Sequence, residues 1–516
     1  MTHLSYTGTP SCIAPAAGVL KKSTGLGHTG VPALSSKSPR SHPPMKSYQV
    51  LPLLIMLALA PLSALLRAAP SEPPVKPNII YILLDDAGIG DFSAYGCKYG
   101  VTPNIDRLAT EGMKFTRAYS GSAVCAPSRM VLMTGQHTGH ILRRANQSKI
   151  GLLALPAGQT TVARMLQNAG YTTGGFGKWG LGNPETTGVA EKQGFDVFFG
   201  YYDQKHAHNH YTDYLIRNSV KVPIQQSGKH TWADYAPTRI ADETLSFIEQ
   251  NKDRPFFCYA AWTPPHGDYV IPEDPVFSGK PWPEEIKNYA AMVALADRDV
   301  GRVMQKLKDL GIDDRTLVIF SSDNGANPEF IEPLGSTGGL RGHKRMLYEG
   351  GTRTPLIVRW PGKIQPGTTS DLLTAFVDFL PTAAELSGLP APKGIDGHSI
   401  VPTLLGKGQQ TRHESLYFEI YEPYFQQAVR MGDWKGYRLG TKAPLELYDL
   451  KADPAEKQNI AAAHPDIVRK IEAIMEAEHS PSPYYDAPEQ GSPRPTKGKN
   501  EQSAKPAATN KENPSL

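Results

Sequence analysis

The stretch Asn78-Ile79-Ile80-Tyr81-Ile82-Leu83-Leu84-Asp85-Asp86 decides the fold class. From Ile79 to Leu84 the run is apolar without interruption. It lacks the alternation of a strand with one wet face, so it reads as a central strand of a sheet covered on both sides. The same texture returns along the chain. Helical spacing over Thr161 to Ala169 precedes an apolar strand at Thr172 to Phe176, and a helix over Ala241 to Asn251 leads to a strand at Phe256 to Trp262. The periodic stretch Glu284 to Leu310 leads in turn to Leu317 to Ser321. This βαβα rhythm predicts an α/β fold, a large and mostly parallel sheet between helices, with active groups at the carboxyl ends of its strands. From about Thr411 short Tyr-rich strands (Ser415 to Tyr421, Gln427 to Met431, Trp434 to Leu439) and a helix near Pro465 to Glu478 predict a small C-terminal α+β subdomain.

Composition sets the outer bounds. With 516 residues, 40% hydrophobic and 20% charged, the chain can bury a sizeable core, which excludes collagen and wholesale disorder. Four cysteines, Cys12, Cys97, Cys125 and Cys258, are too few for a disulfide scaffold. The net charge of +4 is unevenly placed: residues 1–69 hold six Lys or Arg and no Asp or Glu, and residues 487–516 hold an excess of two cations. The centre is therefore mildly acidic, which argues against nucleic acid as a partner.

Lys46, the apolar run Val50 to Leu66 and Arg67-Ala68-Ala69 have the order of a cleaved secretory signal. The run is short for a membrane span and holds Pro52 and Pro61, so the expectation is a secreted or periplasmic protein without stable membrane insertion. The organisation expected is a leader over 1–69 with its signal at 45–69, a linker over 70–77, a main domain over 78–410, the subdomain over 411–485 and a disordered tail over 486–516.

Two acidic pairs follow buried strands. Asp85-Asp86 comes directly after Leu84, and Asp323-Asn324-Gly325 directly after Ser322. They offer the hard oxygen ligands that Ca²⁺ or Mg²⁺ requires, although an Asp after a strand is also a common cap or turn residue. The segment Cys125-Ala126-Pro127-Ser128-Arg129-Met130-Val131-Leu132-Met133-Thr134-Gly135 is far more specific. It resembles the signature of the sulfatase family: Cys or Ser, any residue, Pro-Ser-Arg, two variable residues and Leu-Leu-Thr-Gly, with Met133 the one departure. In its own right the segment reads as a loop entering a helix near Ser128, which sets residue 125 at a helix N-terminus that favours anions.

The resemblance implies an alkaline-phosphatase-like fold and oxidation of Cys125 to Cα-formylglycine by a maturation enzyme. The aldehyde hydrate would then attack the sulfur of a sulfate monoester. By the same resemblance Asp85, Asp86, Asp323 and Asn324, with residue 125, match divalent metal ligands, with Ca²⁺ the usual occupant and Mg²⁺ the alternative. Arg129 would steady the formylglycine hydrate, and Lys178 and Lys344 match sulfate-binding lysines. His266, in Thr263-Pro264-Pro265-His266, matches a histidine near the leaving oxygen.

One departure stands out. Many members carry Gly-Lys-Trp-His-Leu-Gly, where this chain has Gly180 in Gly177-Lys178-Trp179-Gly180-Leu181-Gly182. Gly180 cannot do acid–base work, and the imidazole-rich run Lys205-His206-Ala207-His208-Asn209-His210 suggests that His206 or His208 fills the gap or contacts the substrate. The substrate implied is a sulfated carbohydrate or a small aryl sulfate. A phosphate-ester hydrolase of the wider superfamily, or a non-catalytic binding protein on the same fold, stays open at this point.

Overall fold

The computed structural model describes residues 76–490 apart from 101, 274 and 275. The leader, most of the linker and residues 491–516 lie outside the described residues. Sixteen strands are described: β1 Asn78–Asp85, β2 Met113–Phe115, β3 Ala118–Tyr119, β4 Thr172–Lys178, β5 Val197–Tyr201, β6 Tyr214–Arg217, β7 Val220–Pro223, β8 Phe256–Pro265, β9 Thr316–Ser322, β10 Leu356–Arg359, β11 Thr368–Ser370, β12 Thr374–Ala375, β13 Leu416–Tyr421, β14 Phe425–Met431, β15 Trp434–Arg438 and β16 Glu446–Asp449.

Ten of them form one sheet in the order β11-β2-β10-β9-β1-β8-β4-β5-β6-β7. The centre is parallel: β1 pairs with β9 on one side and β8 on the other, and β4 pairs with β8 and β5. Both faces of that centre are buried. Ile79, Tyr81 and Leu83 pack with the helices Cys125–Thr134, Val162–Asn168 and Phe379–Leu386. Ile80, Ile82 and Leu84 pack on the opposite side with Pro103–Thr110, Ala236–Gln250 and Glu284–Asp309. An unbroken apolar run is what a strand covered on both faces requires, because successive side chains enter opposite layers.

The sheet is mixed at its flanks. β10 runs antiparallel between β9 and β2, and β5, β6 and β7 form an antiparallel ribbon. The helix expected over Ala241 to Asn251 begins at Ala236, with Pro237 in its first turn, where a missing N–H costs no intrahelical bond. Among the described residues no helix is long and apolar enough to cross a membrane.

The C-terminal sheet is antiparallel in the order β13-β14-β15-β16, with the helix Pro465–Glu478 over it. Its join to the main domain combines an apolar cluster, in which Leu347 and Tyr348 meet Phe418 and Tyr437, with a buried polar group. Lys435 Nζ on β15 lies 3.0 Å from Glu349 Oε1, both side chains without solvent exposure. Glu349 Oε2 accepts from Tyr119 Oη at 2.8 Å, and the Glu349 N–H donates to Glu456 Oε2 at 2.8 Å. The disorder expected from 486 onward is corrected for residues 486–490. Tyr485 inserts into a cluster with Ala145, Leu153, Tyr421 and Phe425, and the following segment takes backbone bonds from Thr441 N–H to Pro488 O and from Lys442 N–H to Glu489 O. A buried aromatic anchor offsets the low apolar content of the segment.

Candidate active site

Register builds the site. β1 and β9 run parallel with Leu84 opposite Ser322, so the carboxylates that follow each strand emerge side by side at the same sheet end. The Asp86 N–H donates to Asp323 Oδ1 at 3.1 Å, and Asn324 Nδ2 donates to Asp86 Oδ1 at 2.7 Å. Asp86 has φ 64°, in the left-handed region that Asp tolerates better than most residues. Lys178 closes β4, two strands from β1, and its Nζ donates to Asp85 Oδ2 at 2.7 Å. His266 follows β8 directly, with Nδ1 3.4 Å from Asp85 Oδ2 and Nε2 3.1 Å from Asp86 Oδ2. Lys344 arrives on a loop, its Nζ bonded to Asp86 Oδ2 and 3.2 Å from His266 Nε2.

Cys125 opens the helix Cys125–Thr134, with Val124 extended before it and Pro127 tolerated in the first turn. The Ala126 N–H, one of the donors left free at a helix start, donates to Asn146 Oδ1 at 3.3 Å. Cys125 Sγ lies 3.7 Å from Asp86 Oδ1. One turn on, the Arg129 guanidinium is fully buried. Its Nε donates to Asp323 Oδ2 at 2.9 Å, its Nη1 to Lys178 O at 2.6 Å, and its Nη2 lies 3.5 Å from Asp85 Oδ1. One ligand atom each from Asp85, Asp86, Cys125 and Asp323 lies within 4.8 Å of the others.

Three buried carboxyls so close cannot share one electrostatic condition. Burial would raise Asp85, but Lys178 and His266 outweigh it and hold the carboxyl well below the usual range. Asp86 is held at about 2 by His266 and Lys344 against burial and Asp85. Asp323 is pushed up to about 7 by burial and by the charge of Asp85, despite Arg129. Burial also raises the Cys125 thiol, which makes a thiolate nucleophile unfavourable here.

The structure thus brings together Asp85, Asp86, Cys125, Arg129, Lys178, His266, Asp323, Asn324 and Lys344. It separates the two histidines suggested for the gap at Gly180. His206 Nε2 bonds to Thr212 Oγ1 at 2.7 Å, its ring between Tyr201 and Tyr214, whereas the His208 ring meets His266 edge-on at 4.4 Å. Residues 206–208 form a single 3-10 turn, in which side chains two positions apart diverge. Burial and His266 lower His208 to about 4, so it is neutral near pH 7. Gln204 takes the place beside Gly180: a Cβ there would come within 2.6 Å of Gln204 Nε2, a buried nitrogen without a hydrogen-bond partner among the described residues. Two further buried groups lie outside the sequence candidates: Arg143 carries no motif, and His210 closes the imidazole-rich run without being singled out by it. Arg143 Nη1 donates to Gly180 O, and His210 Nε2 meets His266 O at 3.0 Å.

Comparison with known proteins agrees with this geometry. A family model described as Sulfatase matches residues 77–389, and one described as N-sulphoglucosamine sulphohydrolase, C-terminal, matches residues 341–480. The chain is 32% identical over 484 residues to N-acetylgalactosamine-6-O-sulfatase of Bacteroides thetaiotaomicron, covering 78% of this chain and 93% of that one. It is 32% identical over 469 residues to arylsulfatase A of Homo sapiens, covering 81% and 90%. The crystal structure of Ps i-CgsB superposes with a TM-score of 0.71 at 28% identity, over 80% of this chain and 95% of that one. The chain belongs to the sulfatase family and is an enzyme that hydrolyses sulfate esters.

Proposed function

We propose that the chain removes sulfate from sulfated carbohydrates, using a formylglycine made from Cys125 and a divalent cation, Ca²⁺ or Mg²⁺, held by Asp85, Asp86, Asp323 and Asn324 with residue 125. The observation that carries this reading is the meeting of Cys125 with three buried carboxylates and two buried lysines. The donor set fits a hard cation: Asp85 Oδ1 and Asn324 Oδ1 are buried without a hydrogen-bond partner among the described residues, and a dipositive ion would relieve the repulsion that raises Asp323. When bound, the cation polarises the sulfate and the aldehyde hydrate supplies the attacking hydroxyl.

The chain's own residues do the rest. Lys178, beside Asp85, and Lys344, beside Asp86, present ammonium groups to the oxygens of the sulfate. His266 stands between Asp85, Asp86 and Lys344, where its imidazole can pass a proton to the departing alcohol oxygen. Arg129 fixes Asp323 and the Lys178 carbonyl, so the acidic pair and the first lysine keep one spacing. His208, neutral and edge-on to His266, orients that ring. Carbohydrate as the sulfate carrier is supported by the names of two similar proteins, N-acetylgalactosamine-6-O-sulfatase and Ps i-CgsB in complex with k-i-k-neocarrahexaose. Export through the signal at 45–69 and processing by a formylglycine-generating enzyme belong to the same proposal, as does the division into domains set out above, with residues 486–490 counted with the C-terminal subdomain.

Mass spectrometry of the tryptic peptide Ala118–Arg129, from a host with the maturation enzyme, tests it. The expected product carries an aldehyde in place of the thiol, and Cys125→Ala is folded but inactive on every sulfate ester. Turnover by that variant would refute the reading.

A further inference from the structure

Arg345, next to Lys344, is held in an unusual backbone state. Its φ of 75° lies in the left-handed region that a long side chain avoids at a cost of about 1–2 kcal/mol. Several bonds impose it: the Arg345 N–H donates to Ala123 O at 2.8 Å, and Gln426 clamps the turn by donating to Arg345 O at 2.8 Å and accepting from Leu347 N–H at 3.1 Å. Strain fixed by so many partners is a mark of a functional position. The segment holding Arg345 is thereby tied two residues before Cys125, while Lys344 reaches into the site.

The guanidinium is set with similar care. Its Nε donates to Glu422 Oε1 at 3.2 Å, and Glu422 Oε2 accepts from the Asn146 N–H at 2.9 Å. Asn146 Oδ1 in turn accepts from Ala126, directly after Cys125. Arg345 is therefore linked to residues on both sides of the nucleophile position. Its side chain is 45% exposed, and among the described residues none pairs with its Nη1 or Nη2. Lys178 and Lys344, by contrast, are buried against Asp85 and Asp86. One-sided anchoring through Nε leaves the two terminal nitrogens for a bidentate oxyanion.

We propose that Arg345 forms a second anion subsite at the mouth of the site, for a carboxylate or a further sulfate on the same or the adjoining sugar. This rests on the carbohydrate reading above. Glu422 is the positioning residue that aims the fork, and the subsite makes the enzyme prefer saccharides with two anionic groups.

The test compares wild type, Arg345→Gly and Arg345→Lys on 4-nitrophenyl sulfate, a monosulfated monosaccharide, the same sugar joined to a uronic acid, and a disulfated sugar. Gly adopts φ 75° freely, so loss of the guanidinium is separated from loss of the fold. In Arg345→Gly the preference in kcat/KM for the dianionic saccharide over 4-nitrophenyl sulfate falls roughly 10- to 100-fold, mostly through KM, and Arg345→Lys recovers part of it. The uronate and disulfate arms show which oxyanion is read. Equal losses on all four substrates, or no change in preference, would overturn the proposal. If wild type cleaves no saccharide, the same compounds serve as competitors of 4-nitrophenyl sulfate: a Ki that rises in Arg345→Gly for dianions alone keeps the subsite while the carbohydrate-substrate reading fails. An unchanged Ki overturns the subsite as well.

Discussion

Lys435→Met removes the cation from the buried join between the two sheets. In the native protein Lys435 Nζ sits 3.0 Å from Glu349 Oε1, neither side chain touching solvent, and Glu456 lies against the same glutamate through its backbone N–H. Burial and the charge of Glu349 push Glu456 up to about 7 even with Lys435 present. Burial would also raise Glu349, but Lys435 and Arg430 hold it below the usual carboxylate range. Without Lys435 the cations left beside Glu349 among the described residues are Arg430 and Arg353, the latter with Nη1 3.7 Å from Glu349 Oε2. Removing one partner of a buried pair leaves an uncompensated charge and costs about 3–5 kcal/mol. Urea denaturation followed by tryptophan fluorescence measures this directly. Lys435→Met with Glu349→Gln removes both charges and should recover at least about 2 kcal/mol of the single-variant loss. The single variant should also lower kcat: the turn Glu349–Thr352 supports the loop that carries Asp323 and Asn324 through the bond from Gly325 N–H to Gly351 O at 3.0 Å. A loss below about 1 kcal/mol, or strict additivity in the double variant, would refute the assignment of the pair as the electrostatic support of the join.

Two further predictions are conformational and electrostatic. Gly180→Ala places a methyl group against Gln204 at a φ of 76°, so thermal unfolding should show a loss of about 1–2 kcal/mol, and unchanged stability would contradict the packing described. Asp91, buried and bonded to Tyr99, Tyr289 and the Gly88 N–H, is pushed up to about 6 by burial against those bonds. The folded state holds its proton more tightly than the unfolded chain, so its stabilising contribution is full below about pH 4 and is lost as pH rises through about 6. The stability gap between wild type and Asp91→Asn should therefore shift by on the order of 3 kcal/mol between pH 4 and pH 7, and a gap independent of pH would show that Asp91 does not titrate in this window.

Much of the site was legible because its residues lie at places where sequence and structure speak the same language. A buried strand needs continuous apolar residues, so a carboxylate pair at its end stands out, and Asp85-Asp86 and Asp323-Asn324 do so. The helix from Cys125 has a long signature whose fixed residues are visible without coordinates. What escaped depends on long-range partners. β10 is antiparallel because its neighbours are β9 and β2, which nothing in Leu356–Arg359 reveals. Gln204 belongs to no motif and gains meaning only from the space that Gly180 leaves. The density of histidines over 206–210 suggested that His206 or His208 fills the gap at Gly180, but a tight turn sends His206 to Thr212 and His208 to His266. The tail past Tyr485 looked too polar to pack because composition does not reveal a single anchoring ring.

The helix that Cys125 opens is buried along its whole length, from Cys125 to Thr134. Its first residue is 2% exposed and is walled by Asp86, Asn146 and the buried lysines. The proposed oxidation of Cys125 needs access to the thiol, and residues 118–135 are all buried once the sheet and helices have closed. On the proposed conversion of Cys125 to formylglycine, modification precedes folding, in competition with collapse of the nascent chain. A molecule that folds first is lost to activation for its lifetime, so the active fraction of a preparation reports a race between two rates and not an equilibrium. Slowing folding should raise that fraction without altering any residue of the site.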